Sequence, residues 1–249
     1  LRSTGPGSLY SATDDSSVSG VSGIDVGGST VTAVVPHARR PGRFAILVDG
    51  AEAATIGVDG VERLGIRVGA VVSPALRAAL LLEDRVIGLV DRGMRLLAGR
   101  GYATVAMRRR LARDGAPRAE VEEVIDRLTA IGALDDVRYA HAVARSRLQG
   151  GARSVRRVTE ELRRHGVDGA VATGAVDAVR EADGIDESAG LAALAARRAR
   201  ALRALPSAVR RRRLYAYLLR RGYARAAIER AVSAALRERA GVGEDDDGA

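Results

Sequence analysis

The apolar positions in the later two thirds of the chain fall into a pattern that occurs three times. Met107, Leu111, Gly115, Ile125 and Leu128 stand at offsets of 0, 4, 8, 18 and 21 residues. Val158, Leu162, Gly166, Val176 and Val179 stand at the same offsets, as do Leu214, Leu218, Gly222, Val232 and Ala235. In each copy the first two residues lie one helical turn apart, and the glycine four positions on suits a left-handed helix stop. Alanine at such a stop is expected to cost on the order of 1 kcal/mol. In the first copy Pro117 suits the opening turn of the next helix. Val121, Val124, Ile125, Leu128 and Ile131 then keep the 3.6-residue period, with Glu120, Glu122, Glu123, Asp126 and Arg127 on the opposite face. A unit that recurs in this way buries its apolar face by stacking on its neighbours.

The pattern predicts three helices per unit: 88–99, 104–113 and 117–131; 136–149, 154–165 and 169–181; 187–204, 207–221 and 224–237. Ahead of them, Val31 to Val35, Arg43 to Val48 and Ala51 to Ile56 read as strands. Arg39 to Gly42 and Asp49-Gly50 supply the turn chemistry between them. Val58 to Leu64 reads as a short helix stopped at Gly65, and Ser73-Pro74 caps a helix running towards Gly99, with an interruption expected near Asp84. The expected organisation is a disordered Ser/Gly-rich segment (1–28), a small β-rich extension (29–70) and a connecting helix (71–87). Three three-helix repeats (88–134, 135–184, 185–238) and an acidic disordered tail (239–249) follow. The fold class is mainly α: three tandem three-helix repeats in an elongated curved array, with a small N-terminal β meander.

Composition narrows the chemistry. With 47% apolar but only 3% aromatic residues, the core is aliphatic, and the absence of cysteine excludes disulfides, zinc–thiolate sites and a cysteine nucleophile. The net charge is +9, every basic residue is arginine, and residues 88–249 carry all the excess. A basic helical array points to an acidic partner, nucleic acid or protein. No apolar run reaches transmembrane length, the opening segment does not read as a secretion signal, and a cytoplasmic location is expected. Because the sequence opens on Leu1, its start reads as an alternative initiation codon or a misplaced boundary.

Enzyme signatures are missing. His37, His141 and His165 form no ligand pair, and His165 reads as a solvated histidine at a helix end. Gly27 to Thr30 lacks the lysine and following helix of a phosphate-binding loop. Asp135 reads as the cap of the helix that starts at Asp136. No catalytic residue, metal or cofactor is expected. The positive signal is the arginine clusters: Arg108, Arg109 and Arg110; Arg153, Arg156, Arg157, Arg163 and Arg164; Arg210 to Arg213; Arg220 and Arg221. Guanidinium groups bind carboxylates and phosphates in two-point contacts. Arg108, Arg109, Arg110, Arg153, Arg156, Arg157, Arg163, Arg164, Arg210, Arg213, Arg220 and Arg221 are therefore the candidate partner-binding ridge, with the central Arg163 and Arg164 expected to outweigh Arg211 and Arg212.

The stretch Ile131 to Ala140, IGALDDVRYA, resembles the G-x-L-D-D-x-R-F-A signature of the RecX family. Arg145-Ser146-Arg147, Gly150-Gly151 and Glu161 to Gly166 are similar to that family's next segment, and Leu218 to Tyr223 to its C-terminal repeat. Leu64-Gly65-Ile66 with Val68-Gly69 looks like the N-terminal extension of some members. The resemblance covers roughly residues 88–237 and gives Leu134, Asp135, Asp136, Arg138, Tyr139 and Ala140 a structural signature role. It implies a monomeric, helical, non-enzymatic regulator that binds filaments of the RecA recombinase on single-stranded DNA. The regulator would inhibit their recombinase, ATPase and co-protease activities, in DNA repair and the SOS response, with at most weak direct contact to DNA. Ala103 and Ala106 depart from the family's Ser and Glu capping box, which leaves Thr104 as the expected cap. The alternative is a direct DNA-binding module of tandem three-helix readers, but the outer faces of the third helices in the first two copies, acidic at Glu120, Glu122 and Glu123 and alanine-rich over Ala170 to Ala178, disfavour it.

Overall fold

The computed structural model describes residues 28–113 and 115–237. Segments 1–28 and 239–249, expected from their composition to be disordered, lie outside these apart from Gly28. Strands β1 (Val31–Pro36), β2 (Arg43–Val48) and β3 (Ala51–Gly57) form an antiparallel meander in the order β1-β2-β3. Asp49 and Gly50 both take positive φ, 52° and 82°, the backbone that a two-residue hairpin turn requires. The buried face of the sheet, with Val31, Ile46, Val48, Ala54 and Ile56, packs with Ile66, Val72 and Leu80 into one apolar cluster.

Helix α1 (Val58–Arg63) follows the sheet directly, and α2 (Pro74–Gly99) runs 26 residues from its Ser73 cap without the expected break near Asp84. The acids there are used outside the helix. Asp84 accepts the Thr55 amide at 2.8 Å. Glu83 is only 4% exposed and accepts from Arg63 on α1 at 2.6 Å and from Arg127 at 2.7 Å. Burial alone would raise the Glu83 pKa, but the hydrogen bonds from Arg127 and Arg63 outweigh it and the net shift is downward. Gly60 leaves the room this carboxylate needs, since a Cβ there would meet Glu83 at 3.1 Å. Arg43 pairs with Asp91 as a third clamp. The sheet is thus fixed to the helix that opens the first unit.

That unit consists of the second half of α2 with α3 (Thr104–Ala112) and α4 (Arg118–Ala130). The second has α5 (Asp136–Leu148), α6 (Val155–Arg164) and α7 (Gly169–Ala182), with a 3-10 turn at Gln149–Gly151. The third has α8 (Glu187–Ala201), α9 (Ser207–Arg220) and α10 (Arg225–Arg237). Each unit closes its own core around the repeated apolar positions. The stop glycines have φ of 85° at Gly115, 94° at Gly166 and 88° at Gly222. Two residues of the first unit differ from the periodic reading. Ile131 is 64% exposed because α4 ends at Ala130 and Gly132 turns the chain, so Leu134, 2% exposed, fills the core instead. Glu120, expected on the polar face, is buried and accepts from Arg85 at 2.8 Å.

The units interlock by one device used twice. The Asp136 carboxylate, in the first turn of α5, accepts the Thr104 amide at the start of α3 at 2.7 Å. Glu187, in the first turn of α8, accepts the Val155 amide at the start of α6 at 3.0 Å. Each acid caps the second helix of the unit before it and favours that helix's positive end. Thr104 is therefore not the cap: the cap position is Ala103, which bonds through no side chain, and Asp136 supplies the missing acceptor. Ala103 itself is buried in the second unit's core. At the second junction Ser154 Oγ donates to the Gly222 carbonyl at 2.8 Å, and the Tyr223 hydroxyl donates to the Gly151 carbonyl at 2.7 Å. The Gly151 and Gly190 backbones touch there, where a Cβ on Gly151 would lie 2.4 Å from the Gly190 oxygen.

The third unit differs. By the repeat offsets Arg211 matches Thr104 and Val155, yet α9 starts four residues earlier, at Ser207. An extra helical turn occupies the place where a following unit would offer its acid. Arg210, Arg212 and Arg213 stand where the first unit has the apolar Ala103, Val105 and Ala106.

Candidate functional site

The structure sorts the arginines by what their guanidinium groups touch. Arg108 bonds Glu122 at 2.9 Å, and Arg147 and Arg153 bond the buried Glu161 at 3.3 and 2.8 Å. Arg156 bonds Glu160 at 2.6 Å, with Arg157 4.0 Å from the same carboxylate. Arg221 donates to the Ala152 carbonyl at 2.6 Å and lies over the Tyr217 ring, so it serves the second junction. Arg163 lies against Gly169 at the start of α7. Among the described residues, Arg210 to Arg213 and Arg220 have no carboxylate partner.

Three of the candidate arginines come together at the junction of the first and second units. Arg109 and Arg110 from α3 and Arg164 from α6 line a groove of about 290 Å³. Arg100, Tyr102, Arg113, Tyr139 and His165 line it too, and among the described residues no carboxylate does. The other candidate arginines do not line it. The groove exists because the stop at Gly166 ends α6 directly beneath α3. A Cβ on Gly166 would meet Val105 at 2.4 Å, so only glycine lets the two elements approach this closely. Arg100 sits 4.5 Å from the centre of the Tyr102 ring, which holds its charge over the opening. The Tyr139 hydroxyl and His165 Nδ1 are 2.8 Å apart, a bond between α5 and the end of α6 within the second unit. Burial raises the Tyr139 pKa, with Glu161 adding to the effect, so its hydroxyl keeps its proton at neutral pH.

The signature residues build this same junction. Leu134 fills the first core, Ala140 the second, Asp135 caps α5 by accepting the Arg138 amide at 2.9 Å, and Asp136 caps α3. Arg138 donates to the Gly132 carbonyl at 2.6 Å and closes the turn after α4. Arg100, Tyr102 and Arg113 escaped the sequence reading, and His165, read as a solvated histidine at a helix end, is exposed but also bonds Tyr139 in this groove. Their only signal was position at helix ends, and periodicity within a unit says nothing about which ends meet between units. Chemically the groove can hold an anion: convergent guanidinium groups supply paired donors for phosphate or carboxylate. Among the described residues no group of His, Asp and Glu has the arrangement of a metal site.

Comparison with known proteins follows the same division. The family models for the second and third three-helix domains of RecX match residues 135–176 and 186–232. Regulatory protein RecX of Streptomyces coelicolor is 34% identical over 146 residues, 58% of this chain and 76% of that protein. The chain belongs to the RecX family. The RecX of Thermobifida fusca is 39% identical over 124 residues, a match that spans 63% of that protein's length. The RecX of Mycobacterium leprae is 33% identical over 143 residues, 82% of its length. A crystal structure of a regulatory protein RecX superposes with a TM-score of 0.65, covering 82% of this chain and 99% of that one, at 17% identity. That last likeness speaks for the fold. The chain is accordingly a regulator of the RecX type, built from the three-helix domains of that family. No helix among the described residues is long and apolar enough to cross a membrane.

Proposed function

We propose that this chain regulates the RecA recombinase by docking, as a monomer in the cytoplasm, on the filament that RecA forms on single-stranded DNA. It thereby inhibits recombinase, ATPase and co-protease activity in repair and in the SOS response. It does so without catalysis of its own. The observation that carries this reading is the arginine-lined groove between the first and second units, a preformed anion site in a chain whose relatives are named as regulators. The rest of the arginine ridge, Arg210, Arg213 and Arg220 included, adds long-range attraction to an acidic filament. The RecX resemblance supplies the identity of the filament protein.

The alternative, helices that read bases in the major groove, needs exposed Arg, Asn or Gln on each third helix. On α7 the exposed residues include Ala170, Thr173, Gly174, Asp177 and Ala178, and on α4 Glu122 and Arg127 are engaged in ion pairs. The test is retention. Filaments assembled with a non-hydrolysable nucleotide should hold the protein roughly tenfold more tightly than the naked strand does, a difference of about 1.4 kcal/mol. Equal retention by filament and naked strand would transfer the conclusion to a direct DNA-binding module.

A further inference from the structure

We infer that the groove at the first junction holds a length of single-stranded nucleic acid, bound through its phosphodiester backbone with a base against the Arg100–Tyr102 pair. This deepens the filament reading by naming what the groove grips, and it stands or falls by an experiment that contains no recombinase.

The charge argument narrows the ligand to an anion. Arg100, Arg109, Arg113 and Arg164 converge from three chain segments, the link after α2, α3 and the end of α6. None of these four has a carboxylate partner among the described residues. Elsewhere in the first two units arginines such as Arg108, Arg127 and Arg153 are held by acids of their own unit or its neighbour. Four guanidinium groups that line one groove without a carboxylate partner among the described residues make a site for a charge from outside.

The shape and the rings decide between the two kinds of macromolecular anion. An acidic protein surface would need only the guanidinium groups. This groove also places the rings of Tyr102 and Tyr139 beside them, with Arg100 stacked over Tyr102 at 4.5 Å and His165 bonded to Tyr139 at 2.8 Å. Aromatic and guanidinium planes next to a track of positive charge are what an unpaired base and its phosphate require together. The cavity, about 290 Å³, lies near the lower end of the range for small-ligand sites. Recognition of this kind follows the backbone and stacks on any base, so little sequence preference is expected.

The test uses the full chain and a fluorescein-labelled oligothymidylate of about 30 nucleotides, read by fluorescence anisotropy over a salt series. Arg109→Glu with Arg164→Glu should weaken binding about tenfold or more, and the slope of log affinity against log salt should fall by about one. Arg211→Glu with Arg212→Glu makes the same change of net charge on the third unit and should weaken binding by less than about threefold. Equal losses in the two double variants would overturn the site. If circular dichroism shows that the groove variant has lost helix, Arg109→Ala with Arg164→Ala replaces it, with a loss of about threefold to tenfold expected and the same comparison deciding. Polyglutamate of matched length is the competitor that separates the two ligands. Displacement of the oligonucleotide by polyglutamate at matched charge concentration would overturn the nucleic-acid assignment in favour of an acidic protein. Failure to displace supports it. Strand binding without filament preference would sink the filament reading alone, and filament binding without any oligonucleotide binding would sink this inference alone.

Discussion

The second and third units share a plan and differ in how their charge is used. Residues 135–184 hold nine arginines and eight acids, whereas residues 185–237 hold thirteen arginines and three acids. In the second unit most acids are committed to structure. Asp135 and Asp168 cap helices, Asp136 caps the unit before, and Glu160 and Glu161 hold arginines. In the third, Asp186 and Glu187 serve as caps and leave Arg210 to Arg213 without carboxylate partners among the described residues. Arginine number is therefore a poor guide to function. The second unit has fewer outward charges but contributes to a concave site, because a following unit docks its stop glycine beneath the preceding helix. On the third unit Arg210 to Arg213 line no such groove with a neighbouring unit among the described residues.

The largest test of this stacking account lies in the glycines. Gly166 and Gly222 are pressed against the preceding unit, where an added Cβ would meet Val105 at 2.4 Å and Arg157 at 2.6 Å, whereas Gly115 has nothing within 4 Å. All three take positive φ. Gly115→Ala should cost about 1 kcal/mol, the conformational part alone, and Gly166→Ala and Gly222→Ala roughly 2–4 kcal/mol each, since they add overpacking. Urea unfolding measures all three. Equal costs would show that the junctions yield easily and that the units swing.

A smaller effect separates the two kinds of cap. Asp135→Ala removes a cap within one helix, and Asp136→Ala removes one between units; each should lower stability by about 1 kcal/mol. Only the second should speed hydrogen exchange at the start of α3, which lies in the other unit. Exchange at Thr104 unchanged in Asp136→Ala would break the interlock as described.

The acid limb of stability gives the most modest signal. Glu83 has a folded pKa below its ordinary 4.5. A depressed carboxylate contributes stability in full above the unfolded value, and loses it as pH falls through the folded value. Wild type should lose stability below about pH 4.5 more steeply than Glu83→Gln, which starts lower at neutral pH and has less to lose. Parallel acid curves would mean that Arg63 and Arg127 do not hold this carboxylate.

Much of the fold was legible because each unit encodes its own helices. Apolar spacing, stop glycines and Ser, Asp or Pro at helix starts are local signals, and they placed the helices, the Asp49-Gly50 hairpin turn and the capping role of Asp135. Ile131 and Glu120 show the limit of that reading. Both follow from tertiary context: a chain reversal at Gly132 in one case, and an arginine brought in by α2 in the other. The groove was half legible. Arg109, Arg110 and Arg164 stood out as charge runs, but Arg164 and His165 meet Arg100, Tyr102 and Arg113 only when α6 docks under α3. Asp136 hid its cross-unit role for the same reason, since its sequence neighbours suggest nothing about Thr104.

The measurement that bears most directly on the account is inhibition of RecA's DNA-dependent ATP hydrolysis by two variants of equal charge change. Arg109→Glu with Arg164→Glu alters the groove, and Arg211→Glu with Arg212→Glu alters the arginine-rich end. The groove pair should raise the inhibitory midpoint about tenfold or more at moderate salt, and the end pair by less than about threefold, with the difference shrinking as salt screens exposed contacts. A midpoint unmoved by the groove pair, or moved further by the end pair, would contradict the account and place the working surface on the third unit.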